Sequence, residues 1–208
     1  AHQRPARERP ARSERMTAVD PVSPASPIPG QPARLVTGLG RLLLAVPRPL
    51  APLLPIVWGY LIWTLSSGSI RISGGGFHGM GWFTNLAHAF EFGVLALLCL
   101  PLAPRTPERW ARLSHPFLIA VLAVTLVWAF LDEAHQSFVP GRDASIWDLG
   151  TDLVGIVCTL RVARLAGPRA EARVIRRELW AGLLACVLAS GLSTAWGVFV
   201  GAGWWPFA

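Results

Sequence analysis

The sequence predicts an all-α protein, a polytopic bundle of transmembrane helices. Three observations carry that prediction. Mean hydropathy is +0.44, and only 15% of the 208 residues are charged, against roughly 25% in soluble domains. Five apolar stretches approach the ~20 residues needed to cross a bilayer at 1.5 Å per residue. All 19 basic residues are arginine, and they alternate between rich and poor connecting segments.

Residues 1–34 are rich in Pro, Arg, Ala and Ser and show no apolar periodicity, the composition of a disordered segment. Residues 1–45 are accordingly assigned to an Arg/Pro-rich cytoplasmic tail, 46–166 to a membrane core, and 167–208 to an Arg-rich linker with one more span. The sequence opens on Ala1, so Met16 is an alternative start. No cleavable signal peptide is expected, because the first apolar stretch comes late and is long enough to stay in the bilayer.

The first span, 49–70, carries no charge, and Pro49, Pro52 and Pro55 fall in its first turns, where a helix tolerates proline best. The second, 84–103, is interrupted by His88 and Glu91. The third, 115–138, is apolar until Asp132. The fourth, 145–165, carries Asp148 and Asp152 and is the weakest by hydropathy. The fifth, 179–202, carries no charge.

Arginines number 8 before the first span, then 1, 3, 1 and 6 in successive connections, and 0 after the fifth. Basic residues are retained on the cytoplasmic side, so this alternation predicts a bacterial cytoplasmic membrane protein with its N-terminus inside and its C-terminus outside. Tryptophan agrees. Trp63, Trp82, Trp128, Trp147, Trp204 and Trp205 fall near predicted outer ends, and Trp110 and Trp180 near inner ones, as expected for a ring that favours the headgroup zone. Trp58 and Trp196 read as deeper packing residues. The high isoelectric point thus has a topological explanation, and nucleic acid is not an expected partner. Cys99, Cys158 and Cys186 lie in apolar stretches without metal or redox spacing and read as small hydrophobes.

The function is to be sought among the acids. Glu91, Asp132, Glu133, Asp143, Asp148 and Asp152 lie within these apolar stretches or in the turn between two of them. An ionisable group in a span costs roughly 2.5–3.5 kcal/mol or more, so it is rarely kept without a partner or a task. In the expected orientation His88 and Glu91 lie ~6 and ~10 Å below the outer end of their span, Asp132 and Glu133 ~9 and ~7 Å, and Asp148 and Asp152 ~5 and ~10 Å. Three helices thus bring polar groups to one layer. His88 and Glu91 share a helical face, as do Asp132 and Gln136, and Asp148 and Asp152. Gly155 continues that last face and would admit a close helix neighbour. The sequence Val139-Pro140-Gly141-Arg142 suits a type II turn that holds Arg142 over the cluster. The predicted pocket is therefore His88, Glu91, Asp132, Glu133, Gln136, Arg142, Asp148 and Asp152. Interhelical pairing alone is the plainer reading, but six acids outnumber one arginine and two histidines. The surplus calls for protons, a cation or water.

At these residues the chain resembles the VanZ-like family of small bacterial membrane proteins. The resemblance rests on Asp132-Glu133-Ala134-His135-Gln136-Ser137-Phe138-Val139-Pro140-Gly141-Arg142, then Ser145, Asp148 and Gly155, with Asn85-Leu86-Ala87-His88 and Leu65-Ser66-Ser67 upstream. It covers roughly residues 50–165 and implies a four-helix core, with the fifth span outside it. It also implies a cell-envelope role, since the founding member is associated with teicoplanin resistance. The chain departs from the family pattern in having Thr84-Asn85 where an Asp-Lys pair is frequent, Phe92 where Tyr is common, and Asp152 where Asn is usual.

Three functions fit these residues. One is a non-catalytic factor that captures an amphiphilic ligand or glycopeptide-type antibiotic. Another is a membrane-embedded enzyme for a lipid-linked or wall-precursor substrate, with His88 and Glu91 or Asp132 in acid–base chemistry and Arg142 on a phosphate. A divalent cation held by His88, Glu91, Asp132 and Asp148 is a variant of it. The third is proton or solute transport, against which the inner halves of the second, third and fifth spans carry no polar residue. Besides the bilayer and such a ligand, a second copy is a candidate partner through Gly197 and Gly201.

Overall fold

The computed structural model describes residues 31–68, 79–140, 142, 144–168 and 170–200. Expectations placed on Met16, Arg71, Gly141, Asp143, Gly201, Trp204 and Trp205 lie outside the described residues. The elements are α1 (Gln31–Ala45), α2 (Leu53–Ser66), α3 (Gly79–Cys99), α4 (His115–Gln136), α5 (Ile146–Leu165) and α6 (Ala172–Val200), with single 3-10 turns at Arg48–Leu50 and Leu100–Leu102. Among the described residues there is no strand, only an isolated bridge between Arg105 and Ala111. The all-α expectation holds.

Proline sets several boundaries by removing a backbone donor. Pro49 lies in the turn Arg48–Leu50 and Pro52 is the N-cap of α2, so the first predicted span opens as a 3-10 turn before the α-helix begins. Pro101 sits in the turn that follows α3. The N-cap of α4 is Ser114, with proline in the first turn. The side chain of Ser145 caps α5 by accepting the Trp147 N–H at 3.2 Å, satisfying one of the unpaired amides of a helix start.

Four segments are long and apolar enough to cross a membrane: Arg48–Ser66, Gly81–Leu102, His115–Gln136 and Ala172–Phe199. α5 is not among them, since Asp148, Asp152, Arg161 and Arg164 lower its hydropathy. It instead buries one face, with Thr151, Asp152, Gly155, Ile156, Leu160 and Ala163 enclosed. Its most extensive packing is against α3, then α6, then α4, so Asp152 is covered by protein rather than lipid. The core gathers Ile62, Phe92, Leu95, Ala96, Val121, Ala129, Ile156 and Leu160. Outward residues such as Val57, Tyr60, Val124, Leu188 and Leu192 are apolar, as a lipid-facing surface requires.

One expectation is corrected here. Residues 31–45, assigned from composition to a disordered tail, form α1 instead. This helix packs on α6 and the turn after α3, and Thr37 Oγ1 donates to the Gly167 carbonyl at 3.4 Å. Leu35, Leu39 and Leu42 point outward beside the exposed Arg34 and Arg41, the pattern of a helix lying in the bilayer interface. The fifth span, expected outside the family's four-helix core, packs as α6 against both α5 and α3. Gly197 has open space around it.

Candidate functional site

The α3–α5 contact determines the site's geometry. A Cβ placed on Gly155 would run into the carbonyl group of Ala89, and one on Gly93 would lie 2.8 Å from Thr159 Oγ1 and 3.3 Å from the Gly155 oxygen. Glycine at these two positions therefore lets the backbones touch. With Ala89 against Gly155, the preceding residue His88 faces Asp152, one turn before Gly155 on α5. α3 also begins five residues earlier than the predicted 84, placing His88 nine residues into the helix. That is ~14 Å from its start, deeper than the sequence suggested, and level with the end of α4.

Here the polar groups divide into three clusters. The first joins α3, α4 and α5. His88 Nδ1 lies 3.7 Å from Asp152 Oδ1 and 3.9 Å from Glu133 Oε1. Asp152 is 0% exposed, Glu133 1% and His88 8%. None of His88 Nδ1, Glu133 Oε1 or either Asp152 oxygen has a hydrogen-bond partner. Glu133 Oε2, by contrast, accepts the Ser145 N–H at 2.9 Å, so the C-terminal turn of α4 caps the start of α5, where a carboxylate is favoured by the exposed amides and the dipole.

The second cluster joins α2 and α4. Asp132 Oδ2 accepts from Ser66 Oγ at 2.9 Å and from Gln136 Nε2 at 2.8 Å. The third joins α3, α5 and α6. Ser193 Oγ donates to Asp148 Oδ1 at 2.7 Å and accepts from Asn85 Nδ2 at 3.1 Å. His135 stands apart, stacked on Trp63 with ring centroids 3.9 Å apart and with Nε2 2.9 Å from Ser67 Oγ. Trp196 packs against Trp147, with centroids 4.8 Å apart, and so lies level with the first turn of α5.

The structure thus brings the predicted residues to neighbouring places but not to one cluster. Of the expected cation ligands, His88 alone belongs to the set whose atoms converge; its companions are Glu133 and Asp152, which offer atoms within 4.8 Å of one another. Asp132 and Asp148 are engaged by hydroxyl and amide donors. Glu91 is half-buried, and its backbone carbonyl accepts from Trp58 Nε1 at 2.9 Å. Arg142 is corrected too. Its N–H closes the turn onto the Val139 carbonyl at 3.1 Å, and its guanidinium donates to the Leu65 and Gly68 carbonyls at 2.9 and 3.2 Å. It caps α2, where the negative end of the dipole favours a cation, and shares the Leu65 carbonyl with the Gly68 N–H at 3.3 Å. Arg142→Lys keeps the charge but not the fork. It should lower stability by about 1 kcal/mol, seen as a drop of a few degrees in the unfolding midpoint in detergent. An unchanged midpoint would show that the cap contributes nothing.

Sequence reasoning missed Ser193 as a site residue. Its signal was present: Ser190, Ser193 and Thr194 fall at i, i+3 and i+4 in an otherwise apolar helix, the spacing of a single face. At the other end of the bundle Glu178 is buried, with Arg161 Nη2 at 3.0 Å and Arg177 Nη2 at 3.1 Å. A cavity of about 550 Å³ between α1, α3, α5 and α6 is lined mostly by apolar side chains, among them Val36, Leu43, Val94, Leu97 and Leu183. It extends to Ala89 and Gly155, immediately beside the first polar cluster.

A family model described as VanZ/LLP1 matches residues 13–167, well over half of the chain. The match begins upstream of the stretch on which the sequence resemblance was drawn. No curated protein and no solved structure gives a significant match.

Proposed function

The chain belongs to the VanZ/LLP1 family, and from that premise we propose that this membrane protein takes up an amphiphilic cell-envelope ligand at its buried polar centre. One observation carries the reading. The apolar cavity reaches Ala89 and Gly155, and His88 and Asp152 on the same two helices form the polar centre with Glu133. An amphiphile fits such a junction, with its apolar portion among α1, α3, α5 and α6 and its polar group toward the acids. The arginine alternation supports an N-terminus inside and a C-terminus outside, which puts the centre in the outer half of the membrane. Glycopeptide-type antibiotics that carry an acyl chain have the required chemistry, so a resistance role belongs to the same proposal. The acid–base reading is favoured by a different feature, the imidazole set between two carboxylates.

The test uses an acylated glycopeptide and its deacylated counterpart with the full chain in lipid nanodiscs. Leu183→Trp extends a ring into the cavity without touching the polar centre. It should weaken binding of the acylated compound by at least about tenfold, or 1.4 kcal/mol, with little effect on the deacylated one. Equal binding of both compounds by the unsubstituted protein would sink the amphiphile reading.

A further inference from the structure

We propose that His88 Nδ1, Glu133 Oε1 and an oxygen of Asp152 are the protein ligands of a divalent transition-metal cation such as Zn²⁺ or Mn²⁺. The inference rests on reading this cluster as the functional centre, and it names what the centre holds. Its first support is the company these atoms keep. They are buried, come from three different helices, and lack any hydrogen-bond partner. Native structures satisfy nearly all such atoms, with protein, water or an ion. Elsewhere in this polar layer the protein serves at least one oxygen of each acid, since Ser66 and Gln136 both donate to Asp132 Oδ2, leaving Asp132 Oδ1 without a partner, and Ser193 donates to Asp148 Oδ1. At Asp152 it supplies none.

Spacing is the second support. A direct imidazole–carboxylate hydrogen bond would bring nitrogen and oxygen to roughly 2.7–2.9 Å. Here the separations are 3.7 and 3.9 Å. Ligands bound at roughly 2.1 Å in a tetrahedral site stand ~3.4 Å apart, so His88 need approach each carboxylate by only a few tenths of an ångström, while the two carboxylate oxygens, which lie within 4.8 Å of each other, close around the ion. The donor chemistry agrees: one imidazole and two carboxylates suit a borderline divalent cation better than a soft one. Two carboxylates also balance a dication, leaving a neutral centre where net charge is least tolerated.

Orientation is the third. Glu133 spends one oxygen on the Ser145 amide, which turns the other toward His88 and Asp152, as outer partners orient ligands in metal sites. Three protein ligands leave a fourth position for water or for a polar group of the ligand.

The experiment uses the full chain in nanodiscs, incubated with Zn²⁺ or Mn²⁺, freed of excess and assayed by elemental analysis. One ion per chain is expected. X-ray absorption at the metal edge should show nitrogen and oxygen neighbours with an imidazole signature and no sulfur. Asp152→Asn, His88→Gln and Glu133→Gln should each weaken retention by at least about 10–100-fold. Glu178→Gln, which alters a buried acid at the other end of the bundle, should retain the ion fully. Failure of the unsubstituted protein to hold more ion than Asp152→Asn would overturn the site. If a variant does not fold, the absorption spectrum decides alone, and a sulfur shell or absence of imidazole overturns the proposal. Binding of the acylated glycopeptide by metal-free protein separates the two readings. If it persists in a protein that takes up no ion, the metal site falls and the ligand reading stands. If the ion is held and no glycopeptide binds, the metal site stands and the ligand reading falls.

Discussion

Gly155→Ala should lower the unfolding midpoint by several degrees and disperse the polar centre, although no polar atom is removed. The added methyl would meet the carbonyl of Ala89. A side chain could swing away from such a collision, but helix backbone on both sides cannot, so α3 and α5 must separate. Overpacking a closed core costs about 1–3 kcal/mol, and for a chain of this size each kcal/mol corresponds to roughly 2–4 °C. The separation would also carry His88 away from Asp152, opening a spacing already at 3.7 Å. Ion retention should therefore fall together with the midpoint. Gly197→Ala is the control, since open space surrounds that position. There the change should be slight and, if anything, stabilising, because alanine favours the helix over glycine by about 1 kcal/mol. Equal midpoints for the two variants would mean that the α3–α5 contact is looser than described.

The same contact marks how far the sequence could be read. Polar residues in apolar helices are rare enough to stand out singly, and helical spacing assigned Asp132 with Gln136 and Asp148 with Asp152 to common faces. Spacing does not say how each helix is rotated about its axis. For that reason Glu133 was grouped with the acids in general rather than singled out beside His88, and Asp148 was given the position that Asp152 holds. Gly155 was legible as a point of close approach, but its partner was not, because Ala89 carries no signal of its own. Arg142 was misread for a related reason. Charge complementarity pointed it at the acids, whereas the Val139–Arg142 turn delivers its guanidinium to the Leu65 and Gly68 carbonyls at the end of α2. α1 was lost in the composition of the segment before it, and only at helical resolution do Leu35, Leu39 and Leu42 form a stripe. α5 shows the opposite behaviour: hydropathy ranks it weakest among the spans because it carries Asp148, Asp152, Arg161 and Arg164, and packing against α3 and α6 encloses Asp152.

Near-isosteric changes at Asp132 and Asp152 should shift stability in opposite directions in metal-free protein. Asp132 Oδ2 accepts two hydrogen bonds. Asparagine keeps an oxygen there but loses the charge that strengthens both bonds, a cost of about 1–2 kcal/mol. Leucine costs more, because Gln136 then loses its acceptor while Ser66 can still turn to the Ile62 carbonyl at 3.0 Å. Asp152 has no donor to lose. Its two buried oxygens face Glu133 and His88 without a hydrogen bond, and an amide supplies donors to a centre made largely of acceptors. The amide thereby gives Glu133 Oε1 and His88 Nδ1 a hydrogen-bond donor that the carboxyl oxygens do not provide, a gain of about 1 kcal/mol. Asp152→Asn should therefore raise the midpoint of chelator-treated protein, while Asp132→Asn lowers it. Adding Zn²⁺ or Mn²⁺ then discriminates further. A bound ion stabilises the native state by roughly 2.7 kcal/mol at 100 times its dissociation constant, so the unsubstituted protein and Asp132→Asn should both gain, and Asp152→Asn should not. If Asp152→Asn instead melts below the unsubstituted protein with no metal present, the carboxylate is held by a partner within the fold. The centre would then be a structural joint between α3 and α5.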